Sequence, residues 1–308
     1  MMAPTPVGPS VTAVLACHNR RARTLACLDS FHQQEGSFDL RVVLFDDGST
    51  DGTAGAVLAR HPGATILRGD GRAFWAGGMR AAFAAARTVP SDFYLWLNDD
   101  VILAPHALRT LIAVAAEHTR AGAPFCLVGG AVADPVTGRT TYAGIDRLHA
   151  GRPLRFTAVA PHPVEVHRCD TLVGNVVLVP RATADAVGGI GGAYRHTLGD
   201  LDYGLRVTAA GGWVGLAPGH LGTCARDTGG GGRWFDPSLP LGRRWRLVSH
   251  PLGFPLRPWL HFARRHGGPF WPLFAPLPYW RLGAPLRLAR RVDRRRAPIA
   301  DRGAARHG

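Results

Sequence analysis

Apolar and polar positions along the first 130 residues fall into two alternating patterns. Short apolar runs (Val11–Ala16, Leu40–Phe45, Ala64–Leu67, Phe93–Leu97 and Phe125–Val132) have the length of strands buried on both faces. Between them lie Arg23–Gln34, with Leu25, Leu28 and Phe31 on one face, then Thr53–Arg60, the Ala-rich Trp75–Arg87, and Pro105–His118. Their apolar spacing is helical. Strand and helix in alternation predict parallel strands with right-handed crossovers. The expected class is therefore α/β, with a doubly wound, mostly parallel, Rossmann-like sheet.

From about Asp134 the rhythm breaks. Thr140–Ala143, Leu172–Val179 and Trp213–Ala217 read as strands. Thr183–Val187 and Tyr203–Ala210 read as helices, the second entered through Gly199-Asp200-Leu201-Asp202. Gly229–Gly232 is a run without stiffness and reads as a hinge. After it the composition turns to Arg, Pro and aromatics. The expected organisation is a disordered start over residues 1–10, an α/β domain over 11–232 with halves at about 11–133 and 134–232, and a partly helical extension over 233–308.

Charge sharpens that division. All 36 basic residues of the 308-residue chain are Arg, and the formal net charge is +14. Residues 1–232 hold 20 Arg against 19 acids, whereas residues 233–308 hold 16 Arg against 3. The extension is thus built to meet something anionic. Trp234, Trp245, Trp259, Trp271 and Trp280 interleave with its Arg, which suits rings and guanidinium groups at the headgroups of an anionic membrane. Packing on the α/β domain is the competing use. No recognised nucleic-acid motif is present, so a nucleic-acid partner is not expected. Five scattered Cys without a Cys-x-x-Cys pair point to a reducing compartment. No signal peptide is read at the start and no run is long enough to span a bilayer; Gly267–Trp280 is short and interrupted by four Pro. The expected location is cytoplasmic, peripheral on the inner face of the cell membrane.

The chemistry gathers at strand ends. Phe93–Leu97 runs into Asn98-Asp99-Asp100, Leu40–Phe45 into Asp46-Asp47-Gly48-Ser49, and Ala64–Leu67 into Arg68-Gly69-Asp70-Gly71. Open α/β sheets bind ligands outside the carboxyl ends of their strands. Adjacent carboxylates repel and are costly to bury unpaired, and a hard divalent cation with oxygen ligands relieves both. Helix capping and turn formation are the competing roles of these acids. The glycines near Asp70 do not have the G-x-G-x-x-G spacing of a dinucleotide loop and follow the third strand, not the first.

Taken in order, these motifs resemble family 2 glycosyltransferases, inverting sugar-nucleotide enzymes of the GT-A fold. The resemblance covers residues 10–230. It rests on Cys17-His18-Asn19-Arg20 after the first strand, Val42–Thr53 with Asp46-Asp47-Gly48-Ser49, Leu97-Asn98-Asp99-Asp100, and Gly199–Arg206. Arg68–Ala82 is most similar to the rhamnosyltransferase-like branch. The resemblance implies a nucleotide-binding half, then an acceptor half, and transfer of a sugar from a nucleoside diphosphate to a glycan or lipid-linked hydroxyl. It implies Mn2+ or Mg2+ held by Asp100, with Asn98 and His220 in the metal shell, and Asp200 as catalytic base. It assigns Asp46, Asp47, Asp70 and Asp99 to the donor, and Gly174, Asn175 and Asp202 to the substrate site. The chain departs from the family pattern at Asn98, where the first metal-motif acid is expected, and at Gly199, where an acid precedes the base. These departures are the support for the alternative of a catalytically weakened scaffold that binds nucleotide sugar or membrane. A sugar-phosphate nucleotidyltransferase is the other alternative; it would carry a Gly-rich basic loop after the first strand, where Cys17-His18-Asn19-Arg20 stands.

Overall fold

The computed structural model describes residues 8–148, 153–225, 234, 236 and 238–283. Most of the expected disordered start, the four-glycine hinge and Arg290–Gly308 lie outside them. The chain divides into two compact units, Met1–Asp227 and Thr228–Gly308.

The first unit alternates strand and helix as the apolar pattern predicts: β1 (Ser10–Cys17), α1 (Arg21–His32), β2 (Asp39–Asp46), α2 (Thr53–Arg60), β3 (Thr65–Arg68), α3 (Phe74–Ala86), β4 (Phe93–Leu97), β5 (Ile102–Leu103), α4 (Ala107–Arg120) and β6 (Cys126–Ala133). The later part is more broken: β7 (Thr140–Tyr142), β8 (Gly144–Arg147), β9 (Phe156–Val159), β10 (His167–Arg168), β11 (Thr171–Leu172), β12 (Val176–Pro180), α5 (Arg181–Val187), α6 (Gly199–Ala209) and β13 (Trp213–Thr223). The strand expected over Leu172–Val179 is interrupted at Val173–Asn175, where the chain turns beside the end of β4. The helix expected from Tyr203 begins at Gly199, so Asp200 and Asp202 lie in its first turn.

The main sheet has the order β10-β13-β6-β12-β4-β1-β2-β3. β4, β1, β2 and β3 pair in parallel, and β13 pairs in parallel with β6. β12 is antiparallel to both β4 and β6. Along this path only β12 and β10 therefore oppose the common direction, and the sheet is mostly parallel. β8, β9 and β11 form a second, three-stranded antiparallel sheet. Apolar side chains cover both faces of the main sheet in two buried clusters, which is why its strands read as continuous apolar runs.

One aromatic cluster ties the later half to the earlier. Trp96 on β4 meets Tyr203 on α6 edge-on at 4.6 Å, and Phe83 on α3 meets Trp96 at 5.4 Å and Tyr203 at 6.2 Å. Such pairs contribute about 0.5–1.5 kcal/mol each beyond area burial. On the sheet side of α6, Gly204 is required by space, because a Cβ there would lie 2.3 Å from Thr171 Oγ1. Together these contacts set the start of α6 against the end of β4.

The second unit contains α7 (Leu241–Ser249), α8 (Leu256–His266), α9 (Trp271–Phe274) and α10 (Leu277–Gly283). Trp234, Val248 and Leu282 form one buried cluster in it, and Trp259, Phe262, Ala263 and Ala275 are buried as well. Trp259 Nε1 donates to Ala275 O at 2.8 Å and Tyr279 OH to Phe254 O at 2.8 Å. No described helix is long and apolar enough to cross a membrane.

Candidate active site

The turn after β2 is built by its two acids. Asp46 is fully buried; its Oδ1 accepts from Ser49 N at 2.9 Å and its Oδ2 from the Arg68 guanidinium at 3.0 Å. Asp47 accepts from the backbone N–H of Gly71 (3.0 Å), Ala73 (3.2 Å) and Phe74 (2.9 Å). One carboxylate thus shapes the whole approach to α3. Asp70 lies in that approach, exposed, accepting from Arg72 N at 3.1 Å. Position 69 must be glycine, since a Cβ would lie 2.5 Å from Asp47 Oδ1.

At the end of β4 the two acids share one cation. Arg20, from the loop after β1, directs a single guanidinium nitrogen to Asp99 Oδ1 at 3.1 Å and to Asp100 Oδ2 at 2.9 Å. Asp100 Oδ1 also receives the Cys224 thiol at 3.5 Å. Asp99 is buried, and its Oδ2 has no hydrogen-bond partner among the described residues. Burial pushes the Asp99 carboxyl from 3.8 up to about 6; Arg20 opposes that shift and Asp100 adds to it. A buried carboxylate oxygen without a donor, next to a second carboxylate, is the donor set that a hard divalent cation satisfies. The residues present therefore fit Mn2+ or Mg2+. Asn98 Oδ1 accepts from Trp75 Nε1 at 2.7 Å.

Asp200 is brought to the same end of the sheet. Its Oδ2 accepts from Gly174 N at 2.9 Å and its Oδ1 from Leu201 N at 2.9 Å. Desolvation holds its carboxyl above the usual range, with the Gly174 and Leu201 amides pulling it back. The link to β4 is short. Asn98 N donates to Asn175 O at 3.0 Å. A Cβ at position 174 would stand 2.4 Å from the Trp75 ring and 3.2 Å from Asp200 Cβ. Trp75, Gly174 and Asp200 are therefore stacked in immediate succession beside the Asn98–Asp100 turn.

Other expected site residues have structural partners. Asp202 is fully buried, accepting from Tyr194 OH at 3.0 Å and pairing with Arg206 at 2.9 Å. Arg206 also donates to Val187 O and Gly189 O, both at 2.7 Å, so this pair holds the segment leading to α6. His220 Nε2 lies 2.8 Å from Thr140 Oγ1 on an irregular stretch of β13. Three residues in the site were given no role from sequence: Arg20, Trp75 and Cys224. Arg20 and Cys224 reach Asp100 across 80 and 124 residues of chain, and Trp75 reaches Asn98 across 23; no local pattern signals such contacts.

Among the described residues, three that are not glycine adopt left-handed backbone: Asn19 (φ 51°), Phe74 (φ 55°) and Leu198 (φ 72°). Each stands beside a loop just described: Asn19 precedes Arg20, Phe74 is bound by Asp47, and Leu198 precedes α6. For residues other than Asn such backbone costs on the order of 1–3 kcal/mol, and it persists where surroundings over-determine it.

With this geometry established, the chain can be compared with known proteins. The model of the family described as "Glycosyl transferase family 2" matches residues 12–142. Over that segment, less than half of the chain, this protein is similar to members of that family. Two curated relatives are both named N-acetylglucosaminyltransferase. The protein from Rhizobium sp. (strain N33) is 36% identical over 110 residues, covering 33% of this chain and 23% of its own. The protein from Bradyrhizobium elkanii is 32% identical over 109 residues, covering 34% of this chain and 58% of its own. The matches thus span less than two thirds of either relative. Among solved structures, a mannosyltransferase from Pyrobaculum calidifontis in complex with GDP-Man and Mn2+ matches with TM-score 0.54 at 18% identity, over 97% of this chain and 79% of its own. GalNAc-T7 with UDP, GalNAc and Mn2+ matches with TM-score 0.54 at 14% identity, over 78% of this chain and 48% of its own. These neighbours are GT-A glycosyltransferases, and the segment matched by the family model carries that fold.

Proposed function

We propose that the chain is a metal-dependent inverting glycosyltransferase that moves a sugar from a nucleoside diphosphate to an acceptor hydroxyl. The observation that carries this reading is the short bridge between the diacid turn and α6: Asn98 N on Asn175 O, and Gly174 N on Asp200 Oδ2. It sets a carboxylate of raised pKa beside a pair of acids suited to a divalent cation.

In this reading Asp99 and Asp100 hold Mn2+ or Mg2+, which supplies Lewis-acid stabilisation to a diphosphate leaving group. Arg20 carries permanent positive charge at the same acids and can turn to the donor's phosphates. The Asp46–Arg68 pair and the loop pinned by Asp47 form the floor for the nucleoside, with Asp70 at its rim. Asp200 accepts the acceptor hydroxyl's proton as that oxygen attacks the anomeric carbon. Its elevated pKa makes it a stronger base than an ordinary carboxylate. Gly174 lets the sugar lie against backbone. The relatives' names favour an N-acetylglucosamine donor, and the resemblance of Arg68–Ala82 favours a thymidine-linked rhamnose. A glycan or lipid-linked acceptor, in cell-wall or polysaccharide synthesis, agrees with a second unit whose surface suits an anionic membrane.

The test is a donor screen by thermal shift with Mn2+, followed by transfer assays. The parent protein should be stabilised by one nucleoside diphosphate sugar, as any ligand of the native state stabilises it. Asp200→Asn should keep that shift while transfer falls by on the order of 10²-fold or more. Asp100→Ala should lose both the Mn2+ dependence of the shift and the activity. Normal turnover by Asp200→Asn would remove it as the base.

A further inference from the structure

A second constellation lies away from the diacid, where the three-stranded sheet meets the edge of the main one. Asp146 on β8, His167 on β10 and Cys169 just beyond it present Oδ, ring nitrogen and Sγ atoms all within 4.8 Å of one another. His167 Nε2 is 3.1 Å from Asp146 Oδ2. β10 pairs with β13 at Leu216 and Gly215, whereas the diacid meets Cys224, just past the far end of that strand. The two sites are separate.

The surroundings hold each of these atoms in place. Asp146 Oδ1 accepts from Asp170 N at 3.2 Å, and Asp170 Oδ2 accepts from Arg147 N at 2.7 Å, so the carboxylate is oriented through a two-way latch between β8 and the turn after β10. Cys169 N donates to Val214 O at 2.9 Å, fixing its backbone on β13. The sulfur occupies space that only glycine leaves at position 144, where a Cβ would lie 2.3 Å from Sγ. The thiol donates to His167 O at 3.7 Å, and burial, with the Asp146 and Asp170 charges adding to it, pushes the thiol up to about 12. The sulfur is buried, and His167 is 43% and Asp146 32% exposed at the side chain. One side of the triad is thus open to solvent.

We propose that Asp146, His167 and Cys169 form a site for a borderline-soft divalent transition metal, of which Zn2+ is the type, with a solvent molecule completing a four-coordinate shell. One thiolate, one imidazole and one carboxylate are the ligand types such a metal takes, and hard Mg2+ or Mn2+ does not favour sulfur. Binding exchanges the thiol proton for the metal: Cys–SH and M2+ give Cys–S–M+ and H+. The imidazole binds in its neutral form through Nε2, and the carboxylate as the anion. The latch to Asp170 supplies the outer contacts that orient a ligand carboxylate. A bound metal would tie β8 to β10, joining the small sheet to the edge of the large one. This inference does not rest on the transferase reading.

The test is Co2+ titration of the full chain, metal-stripped and kept reduced, read by absorption. The expected result is one saturable Co2+ site marked by thiolate-to-metal charge transfer and the intense visible bands of tetrahedral coordination, reversed by excess Zn2+; Co2+ held by oxygen ligands at the diacid gives no such charge transfer. His167→Gln, at a half-exposed position, should weaken this binding by about tenfold or more. Cys169→Ser should abolish the charge-transfer band. Asp100→Ala should leave both spectrum and affinity unchanged. Calorimetry of Zn2+ binding in buffers of different ionisation enthalpy should show proton release in the parent. Absence of charge transfer at saturating Co2+ would overturn the site, leaving Cys169 as a small buried side chain. So would an unchanged titration in His167→Gln, or a signal that vanishes in Asp100→Ala. Should Cys169→Ser fail to fold, the parent spectrum and the His167→Gln titration decide alone.

Discussion

Asp99 shows what a buried acid costs this protein. Its ordinary carboxyl value is 3.8, and burial raises it to about 6 in the folded chain. A carboxyl whose folded pKa is raised binds its proton more tightly when native. Its penalty is therefore absent below about pH 4, grows as pH rises through 6, and is complete at neutrality. The shift corresponds to up to about 3 kcal/mol. Asp99→Asn should accordingly be more stable than the parent at pH 7 in the presence of chelator, and equally stable at pH 4. Urea unfolding at the two pH values measures this, and the same difference at both would mean that ionisation of Asp99 is not the cause. Arg20 and Asp100 cannot be read apart from Asp99, because one guanidinium nitrogen serves both acids.

At the scale of elements, the site depends on how closely α6, α3 and the turn before β12 approach one another. Gly174 is where they meet, and its φ is not in the left-handed region; space alone requires glycine there. In Gly174→Ala the new methyl would overlap the Trp75 ring, whose indole N–H is committed to Asn98. Overpacking of this kind costs about 1–3 kcal/mol, which the fold can bear. Displacement of Asp200 or Trp75 should lower transfer by on the order of 10²-fold, the effect expected of an ångström-scale misplacement. Kinetics and Trp fluorescence of the variant check this together, and full activity would show that the approach is not needed. Asp202 and Arg206 belong to the same scale. Their buried pair clamps the residues before α6 and so sets where Asp200 begins the helix.

For the whole molecule, the second unit by itself carries a surface unlike that of the first. Trp280 is 77% exposed, Leu273 69% and Phe270 66%, and Arg243, Arg246, Arg257, Arg264 and Arg265 are also at its surface. Apolar rings beside cationic side chains suit an anionic bilayer, with about 1 kcal/mol from each Arg near the headgroups. The full chain should float with vesicles containing anionic lipid, less so as salt rises, and Phe270→Ser with Trp280→Ser should weaken it. Equal flotation with neutral vesicles would remove the charge argument. Much of the first unit was legible locally. Phe93–Leu97 reads as a strand with its observed bounds, and the other early elements fall within about two residues of theirs, because burial on both faces forces continuous apolar runs. The two-residue strands β5 and β10 were not legible, since they are held by pairing with β13 and not by any periodicity of their own. The family 2 resemblance likewise named Asp99, Asp100 and Asp200 as residue types at strand and helix ends, without saying what surrounds them. Local sequence thus determined the alternation of elements, the acids at their ends and the charge of the last residues, since each follows from neighbours along the chain. Tertiary structure alone decided that Arg20 bridges the diacid, that Trp75 takes up Asn98, that Asp202 clamps a loop, and that Cys169 lies within reach of Asp146 and His167. Those contacts join residues far apart in sequence, and only packing brings them together.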